Sequence, residues 1–209
     1  MLLAVLLGVA PVGKSVASEI GAIERGVKAT KYEHRLRVDP QRGIYNWDCS
    51  IMAAWVLERT APQAHRALGA KPLARDFYRV IDKAPADKPR RGWQRLVDVA
   101  MVAPGDVFAW LKPPMFKQRA NTGHVGFVVG KPWRHPRHAG VWLLRIADST
   151  RELHGDDSRP TGGEGGFGTA TIAFLVDSAG SPIAYGWYGE LQDPASYVPT
   201  QIAFGRVFR

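Results

Sequence analysis

Apolar residues in the first half of the chain recur at the spacing of helices. The clearest pattern follows Asp48, and its apolar positions lie three or four residues apart on one helix face: Met52, Ala53, Val56 and Leu57. Asp48, or Asn46 just before it, is a suitable N-cap, so we expect this helix to begin at Cys49 and to end near Pro62. The same spacing predicts two more helices, over 19–29 and 73–81.

From residue 103 onward the period changes from that of helices to that of strands. Six strands are predicted: 107–111, 125–129, 141–147, 169–176, 183–187 and 201–208. Helices followed by antiparallel strands predict an α+β fold, with N-terminal helices packed on a mainly antiparallel sheet. The sequence shows no internal repeat and no linker, so we expect residues 18–209 to form a single domain.

The first twelve residues are apolar but too few to span a bilayer. Their length is that of the hydrophobic region of a signal peptide, and Ser15-Val16-Ala17 offers a cleavage site after Ala17. Residues 1–17 are therefore predicted to be a signal peptide, which would make the protein periplasmic or extracellular. Because nothing basic precedes Lys14, the alternatives are a mis-assigned start or an ordinary apolar N-terminal segment. The sequence predicts no transmembrane span.

Charge and glycine patterns restrict the classes of partner. The chain of 209 residues has a formal net charge of +9, and the segment 58–100, with ten basic and five acidic residues, supplies more than half of it. This favours an anionic partner. Nucleic-acid binding stays an alternative with charge as its only support, and it is not expected because no helix-turn-helix, zinc or RNA-binding motif accompanies the charge. Residues 163–168 match the GxGxxG spacing, yet a predicted strand follows where a dinucleotide site requires a helix. We expect no cofactor and no metal.

Cys49, the single cysteine, stands at the predicted start of a helix. Free backbone N–H groups and the macrodipole there would lower the pKa of the thiol and favour the nucleophilic thiolate. A lone buried cysteine is more often inert, so a catalytic role requires a partner base. His124 opens an apolar strand, whereas the other five histidines lie in charged or polar stretches. Asp148, at the end of the next strand, is placed to accept the other N–H of the His124 ring.

Three motifs occur in order: Asp48-Cys49-Ser50, Pro104-Gly105-Asp106 and His124-Val125-Gly126-Phe127. Together they resemble the NlpC/P60 family of papain-like cysteine peptidases over about residues 45–150. The resemblance implies a papain-like fold with Cys49 as nucleophile and His124 as base. Asp148 is the best match to the third polar residue, although that residue is commonly His, Asn or Gln. Ile51 replaces the usual glycine, and the segment 58–100 is an insertion relative to the family's core.

The resemblance also implies a substrate, an amide bond in peptidoglycan-type cell-wall peptides. Such peptides carry carboxylates, which a basic rim would bind. The backbone N–H of Cys49 would help to stabilise the oxyanion, with Tyr45 as a second donor unless it packs in the core, which is the favoured alternative. Asp48 and Ser50 flank the nucleophile at the same substrate site. For the whole protein, the alternative is a catalytically silent binding module on the same fold.

Overall fold

The computed structural model describes residues 10–118 and 120–209. Its helices are α1 (Gly13–Gly26), α2 (Cys49–Thr60), α3 (Pro62–Arg66) and α4 (Ala74–Asp82). Its strands are β1 (Ala29–Tyr32), β2 (Arg37–Asp39), β3 (Ile44–Trp47), β4 (Trp93–Leu96), β5 (Val107–Leu111), β6 (Gly123–Val128), β7 (Trp133–Arg134), β8 (Val141–Thr150), β9 (Gly166–Val176), β10 (Pro182–Gly186), β11 (Val198–Pro199) and β12 (Ile202–Val207). None of the described helices is long and apolar enough to cross a membrane.

The strands form two sheets. The large sheet has the order β11-β10-β9-β8-β6-β5-β12-β4, with β7 paired to β8, and all its pairings are antiparallel. The small sheet has the order β1-β3-β2, and its β1 and β3 are parallel. The prediction of an α+β fold with a mainly antiparallel sheet is therefore confirmed. The three strands of the small sheet were not predicted.

The large sheet is buried on both faces. Along β5, Val107 and Ala109 belong to the core on the helical side, whereas Phe108 and Trp110 belong to the core on the opposite side. The helices fill the first side with their apolar faces: Val16, Ile20, Met52, Val56, Phe77 and Ile81. The sheet curls so that β10 contacts β12, and aromatic rings such as Phe174 and Phe204, 5.1 Å apart, fill its concave side.

The basic segment 58–100, predicted from the sequence to be an insertion, is part of this core. It supplies α3, α4 and β4, and β4 pairs with β12 at the edge of the large sheet. Trp93 is buried, and its indole N–H donates to the Ala64 carbonyl at 2.9 Å. Nine of the ten basic residues are nevertheless exposed. The segment therefore contributes apolar side chains to the core and positive charge to the surface.

Helix α1 begins at Gly13 rather than at residue 19. Val12 and Val16 are buried, and the Val12 N–H donates to the carbonyl of Val207 in β12 at 3.0 Å. The predicted cleavage point after Ala17 therefore falls inside a packed helix, and cleavage there would remove both valines from the core. Residues 1–9 of the predicted signal peptide lie outside the described residues. Export stays a prediction.

Candidate active site

Cys49 and His124 line one cavity of about 620 Å³. The first turn of α2 and the start of β6 contribute to its wall, together with the segments that follow β8 and β10. Its aromatic side chains are Tyr32, Trp110, Phe116, Tyr185, Trp187 and Tyr188. Among the described residues, the charged side chains on its wall, besides the histidines, are Asp48, Arg151 and Glu152. The basic segment 58–100 contributes Leu73 and Ala74 to the wall, so its positive charges do not supply the expected basic rim.

Asp48 is the N-cap of α2, as predicted. Its Oδ1 accepts hydrogen bonds from the Ile51 N–H and the Ser50 hydroxyl, each at 2.8 Å. Its Oδ2 lies 2.9 Å from Nδ1 of His34, on the cavity wall. Asp48 and Ser50 thus border the cavity while being bonded to each other. This network fixes the start of the helix and, with it, the position of Cys49.

The thiol of Cys49 is buried, and burial raises its pKa above that of a free cysteine. The Asp48 and Asp148 carboxylates act in the same direction, because each repels a thiolate. Hydrogen bonds from the backbone of Val125 and Ser50 oppose the rise but are outweighed. The expectation of a lowered thiol pKa is therefore wrong, because the loss of solvation exceeds the favourable effect of the helix start. At neutral pH the resting thiol keeps its proton.

His124 is the second residue of β6, where it is paired with Trp110 of β5. Its Nε2 lies 2.8 Å from Oδ2 of Asp148. An ionised carboxylate only accepts hydrogen bonds, so Nε2 carries a proton and the neutral ring keeps its lone pair on Nδ1. Within the described residues Nδ1 makes no hydrogen bond, and none joins His124 to Cys49. The two groups share the cavity, and their action as a dyad stays a prediction.

Asp148 lies fully buried inside β8 rather than in the turn after it. Its Oδ2 accepts from Nε2 of both His124 and His154, at 2.8 and 2.9 Å, and its Oδ1 accepts from Nη2 of Arg159 at 3.1 Å. Burial alone would raise the pKa of this carboxyl, but the charge of His154, the two histidine hydrogen bonds and Arg159 hold the pKa of Asp148 well below its usual range. Asp148 is therefore an ionised acceptor against the His124 ring.

His154 belongs to this site but was not among the predicted site residues. It lies in the loop after β8, and its side chain is completely buried. Its Nδ1 is 3.0 Å from the Trp187 carbonyl oxygen, its Nε2 is bonded to Asp148, and its ring stacks on Trp187 at 4.0 Å. The polar residues that follow it in sequence are typical of an exposed turn, and no local pattern indicates that this histidine is buried.

Arg159, from the same loop, was also missed. Its guanidinium binds Asp157 at 2.6 and 2.7 Å and donates to the Gly166 carbonyl at 2.7 Å, besides contacting Asp148. Gly168 stands opposite Asp148 on β9. A β-carbon at Gly168 would lie 2.6 Å from Nε of Arg159, so this glycine leaves the space that the arginine occupies. This glycine therefore serves the site by making room for the guanidinium of Arg159.

Tyr45 is not among the residues that line the cavity. It lies in β3, and its ring packs 5.3 Å from that of Trp47 and 6.5 Å from that of Trp55. The alternative of core packing is therefore the one that the structure shows. Tyr32, paired with Trp47 through β1, lines the cavity instead. Burial, with the nearby Cys49 and Asp48, raises the pKa of Tyr32, so its hydroxyl remains a hydrogen-bond donor at neutral pH.

Two further observations bear on the identity of the site. Within residues 10–118 and 120–209, no group of three or more His, Cys, Asp or Glu side chains is arranged so that it could hold a metal ion. Comparisons with protein-family models, curated proteins and solved structures found no match to this chain. The functional assignment therefore depends on the geometry of the site and on the resemblance of its motifs.

Proposed function

We propose that the protein is a cysteine hydrolase that cleaves amide bonds, with Cys49 as nucleophile, His124 as base and Asp148 as the group that orients His124. The observation that carries the proposal is the shared cavity of Cys49 and His124, combined with the bond that holds Nε2 of His124 on Asp148. A thiol, an imidazole and a carboxylate in this relation are the groups that acyl transfer requires. The NlpC/P60-like motifs support a papain-like hydrolase.

The raised pKa of Cys49 defines the first chemical step. Because the resting thiol is protonated, it loses its proton during the attack rather than before it. Nδ1 of His124 takes this proton while Sγ forms a bond to the carbonyl carbon of the substrate. The resulting imidazolium is stabilised by Asp148, an anion already hydrogen-bonded to Nε2.

The carbonyl oxygen receives negative charge in this step and needs donors. The first turn of α2 presents the backbone N–H of Cys49, and Tyr32 replaces Tyr45 as the second donor because its phenol lies at the cavity beside the thiol. The imidazolium of His124 then protonates the leaving amine as the C–N bond breaks. Water, deprotonated by Nδ1, hydrolyses the thioester and restores the thiol of Cys49.

The proposed substrate is a carboxylate-bearing peptide of the cell wall. Arg151 lies on the cavity wall with its guanidinium 5.4 Å from the Tyr32 ring. The cavity that contains Cys49 therefore has a cation on its wall. Guanidinium groups bind carboxylates through two parallel hydrogen bonds. The aromatic part of the wall would cover the apolar portions of the peptide. The motif resemblance is what directs the choice toward cell-wall peptides.

A binding module on the same fold is the second candidate. Two observations favour it: the raised pKa of the thiol, and the lack of a hydrogen bond between Cys49 and His124 in the described part of the chain. Such a module would use the cavity to hold the peptide without cleaving it. This second candidate predicts that the peptide binds equally well when the thiol of Cys49 is removed.

The deciding experiment incubates purified protein with peptidoglycan stem peptides and follows products by mass spectrometry. We expect cleavage by the unmodified protein and a loss of turnover of about a thousandfold or more in Cys49→Ala and in His124→Ala. His135→Gln is the matched control, because His135 is buried outside the cavity and should leave turnover unchanged. Peptide binding without cleavage, equal in Cys49→Ala, would establish the binding module. If neither binding nor cleavage occurs, the proposed substrate is wrong.

A further inference from the structure

Both ring nitrogens of His154 face groups that only accept hydrogen bonds. Nδ1 lies 3.0 Å from the Trp187 carbonyl oxygen, and Nε2 lies 2.9 Å from Oδ2 of Asp148. A neutral imidazole carries one N–H and would leave a lone pair against one of these oxygens. Both distances are satisfied only by a ring with two protons. The geometry therefore makes His154 a buried imidazolium.

The charges around His154 support this protonation state. Burial lowers its pKa, but the charge and hydrogen bond of Asp148 raise it more, so the net pKa of His154 is above the usual value. The facing groups are Asp148 from β8, Asp157 and Arg159 from its own loop, and the His124 ring from β6. The segment after β10 contributes the uncharged Trp187. Two carboxylates are thus balanced by His154 and Arg159, and the cluster has no net charge when His124 is neutral.

We propose that His154 is a positioning residue of the hydrolase, an imidazolium that directs Oδ2 of Asp148 toward His124 and offsets the charge of that carboxylate. The inference rests on the proposed function, since it assigns a task within the same site. Asp148 shares Oδ2 between the two histidines, so His154 determines which way this oxygen points. Its positive charge also limits how strongly Asp148 attracts a proton to the His124 ring.

Removing the cation has a consequence of definite sign. In His154→Gln the cluster behind His124 carries a net charge of −1, which stabilises the imidazolium form of His124 and disfavours the thiolate of Cys49. The acidic and the basic limb of the pH profile of kcat/KM should therefore both move to higher pH. We expect a shift of about one unit, because the lost charge is buried and bonded to the same carboxylate oxygen as His124. A purely structural role would lower the amount of active enzyme without moving either limb.

The test uses nitrogen NMR of the imidazole rings together with the pH profile. In the unmodified protein, His154 should show two protonated nitrogens at neutral pH, with its signals assigned by through-bond correlations to its own backbone. In His154→Gln, the midpoint of the His124 titration should move up by about one pH unit, while His135→Gln leaves it in place. An unprotonated nitrogen on His154 at neutral pH, or an unmoved His124 midpoint, would overturn the proposal.

The NMR measurements need no substrate, and the protonation of His154 is measured without a variant, so two failures can be told apart. If His154 has both protons and the His124 midpoint moves, but no peptide is cleaved, the proposed function is wrong and the charge relation stands. If peptides are cleaved and the pH profile of His154→Gln matches that of the unmodified protein, the positioning role is wrong. Should His154→Gln fail to fold, the protonation of His154 in the unmodified protein still decides: a neutral ring refutes the proposal and a doubly protonated ring supports it.

Discussion

Replacing Asp148 by asparagine tests how far the fold depends on one buried charge. The two oxygens of Asp148 accept three hydrogen bonds, from His124, His154 and Arg159. Asparagine offers one carbonyl oxygen and one NH₂ group, which donates. At least one of the three donors would therefore face another donor. His154 would also lose its anionic partner.

The magnitude follows from the burial of the cluster. Removing one partner of a buried ion pair costs about 3–5 kcal/mol, because an uncompensated charge is left in a site that excludes water. Arg159 keeps Asp157, and His154 can release its proton, so the lower end of this range applies. We expect Asp148→Asn to lower the free energy of unfolding by about 3 kcal/mol at neutral pH. Typical domains have about 5–15 kcal/mol in total.

The pH dependence of this loss has a definite sign. Despite burial, the pKa of Asp148 is lowered in the folded state. Its contribution to the free energy of unfolding is therefore present above the unfolded pKa of about 3.9 and is lost as pH falls through the folded pKa. Despite burial, the pKa of His154 is raised in the folded state. Its contribution to the free energy of unfolding is therefore complete below the unfolded pKa of about 6.5 and is lost as pH rises through the folded pKa. The effect of Asp148→Asn should therefore be largest at mildly acidic pH.

Urea unfolding followed by tryptophan fluorescence measures the change, since the chain has seven tryptophans. Asp82→Asn is the matched control, because it makes the same substitution in a surface pair, with Oδ1 of Asp82 3.7 Å from Nη1 of Arg95. Exposed pairs contribute less than about 1 kcal/mol. Equal losses in the two variants, or a loss below about 1 kcal/mol at Asp148, would refute the reasoning.

Two further predictions use matched positions. Gly105→Ala should lower the free energy of unfolding by about 2 kcal/mol or more beyond the effect of Gly69→Ala. Both glycines have positive φ (91° and 89°), but only at Gly105 would a β-carbon meet the Gly13 carbonyl oxygen. Equal stability of the two variants in urea would contradict this close approach. Tyr32→Phe should lower kcat by about 10²-fold with little change in KM, because it removes the proposed oxyanion donor. Tyr45→Phe, the control, should leave kcat unchanged. Equal kcat for Tyr32→Phe and the unmodified protein would contradict the donor role.

The elements that local sequence predicts well are those whose stabilising contacts lie within a few residues. Asp48 caps α2 through the Ile51 N–H three residues away, and the β5 strand has the predicted bounds 107–111. The short strands β1–β3 escaped prediction because three or four residues are too few for a period to show. Within the segment 58–100, the apolar spacing predicted the helix at 73–81, but sequence did not reveal that β4 would join the edge of the large sheet, because that pairing is with β12, about a hundred residues away.

The same distinction applies to the candidate site. Sequence alone selected Cys49, His124 and Asp148, because their places at a helix start, a strand start and a strand end have chemical meaning. It could not select His154 and Arg159, which reach Asp148 only because the loop after β8 folds back over the β8–β9 pair. Nor could it predict the raised pKa of Cys49, since burial and two carboxylates outweigh the helix start. A helix cap depends on neighbours in the chain, whereas solvation and electrostatic potential at an atom sum over groups that only the tertiary structure brings together.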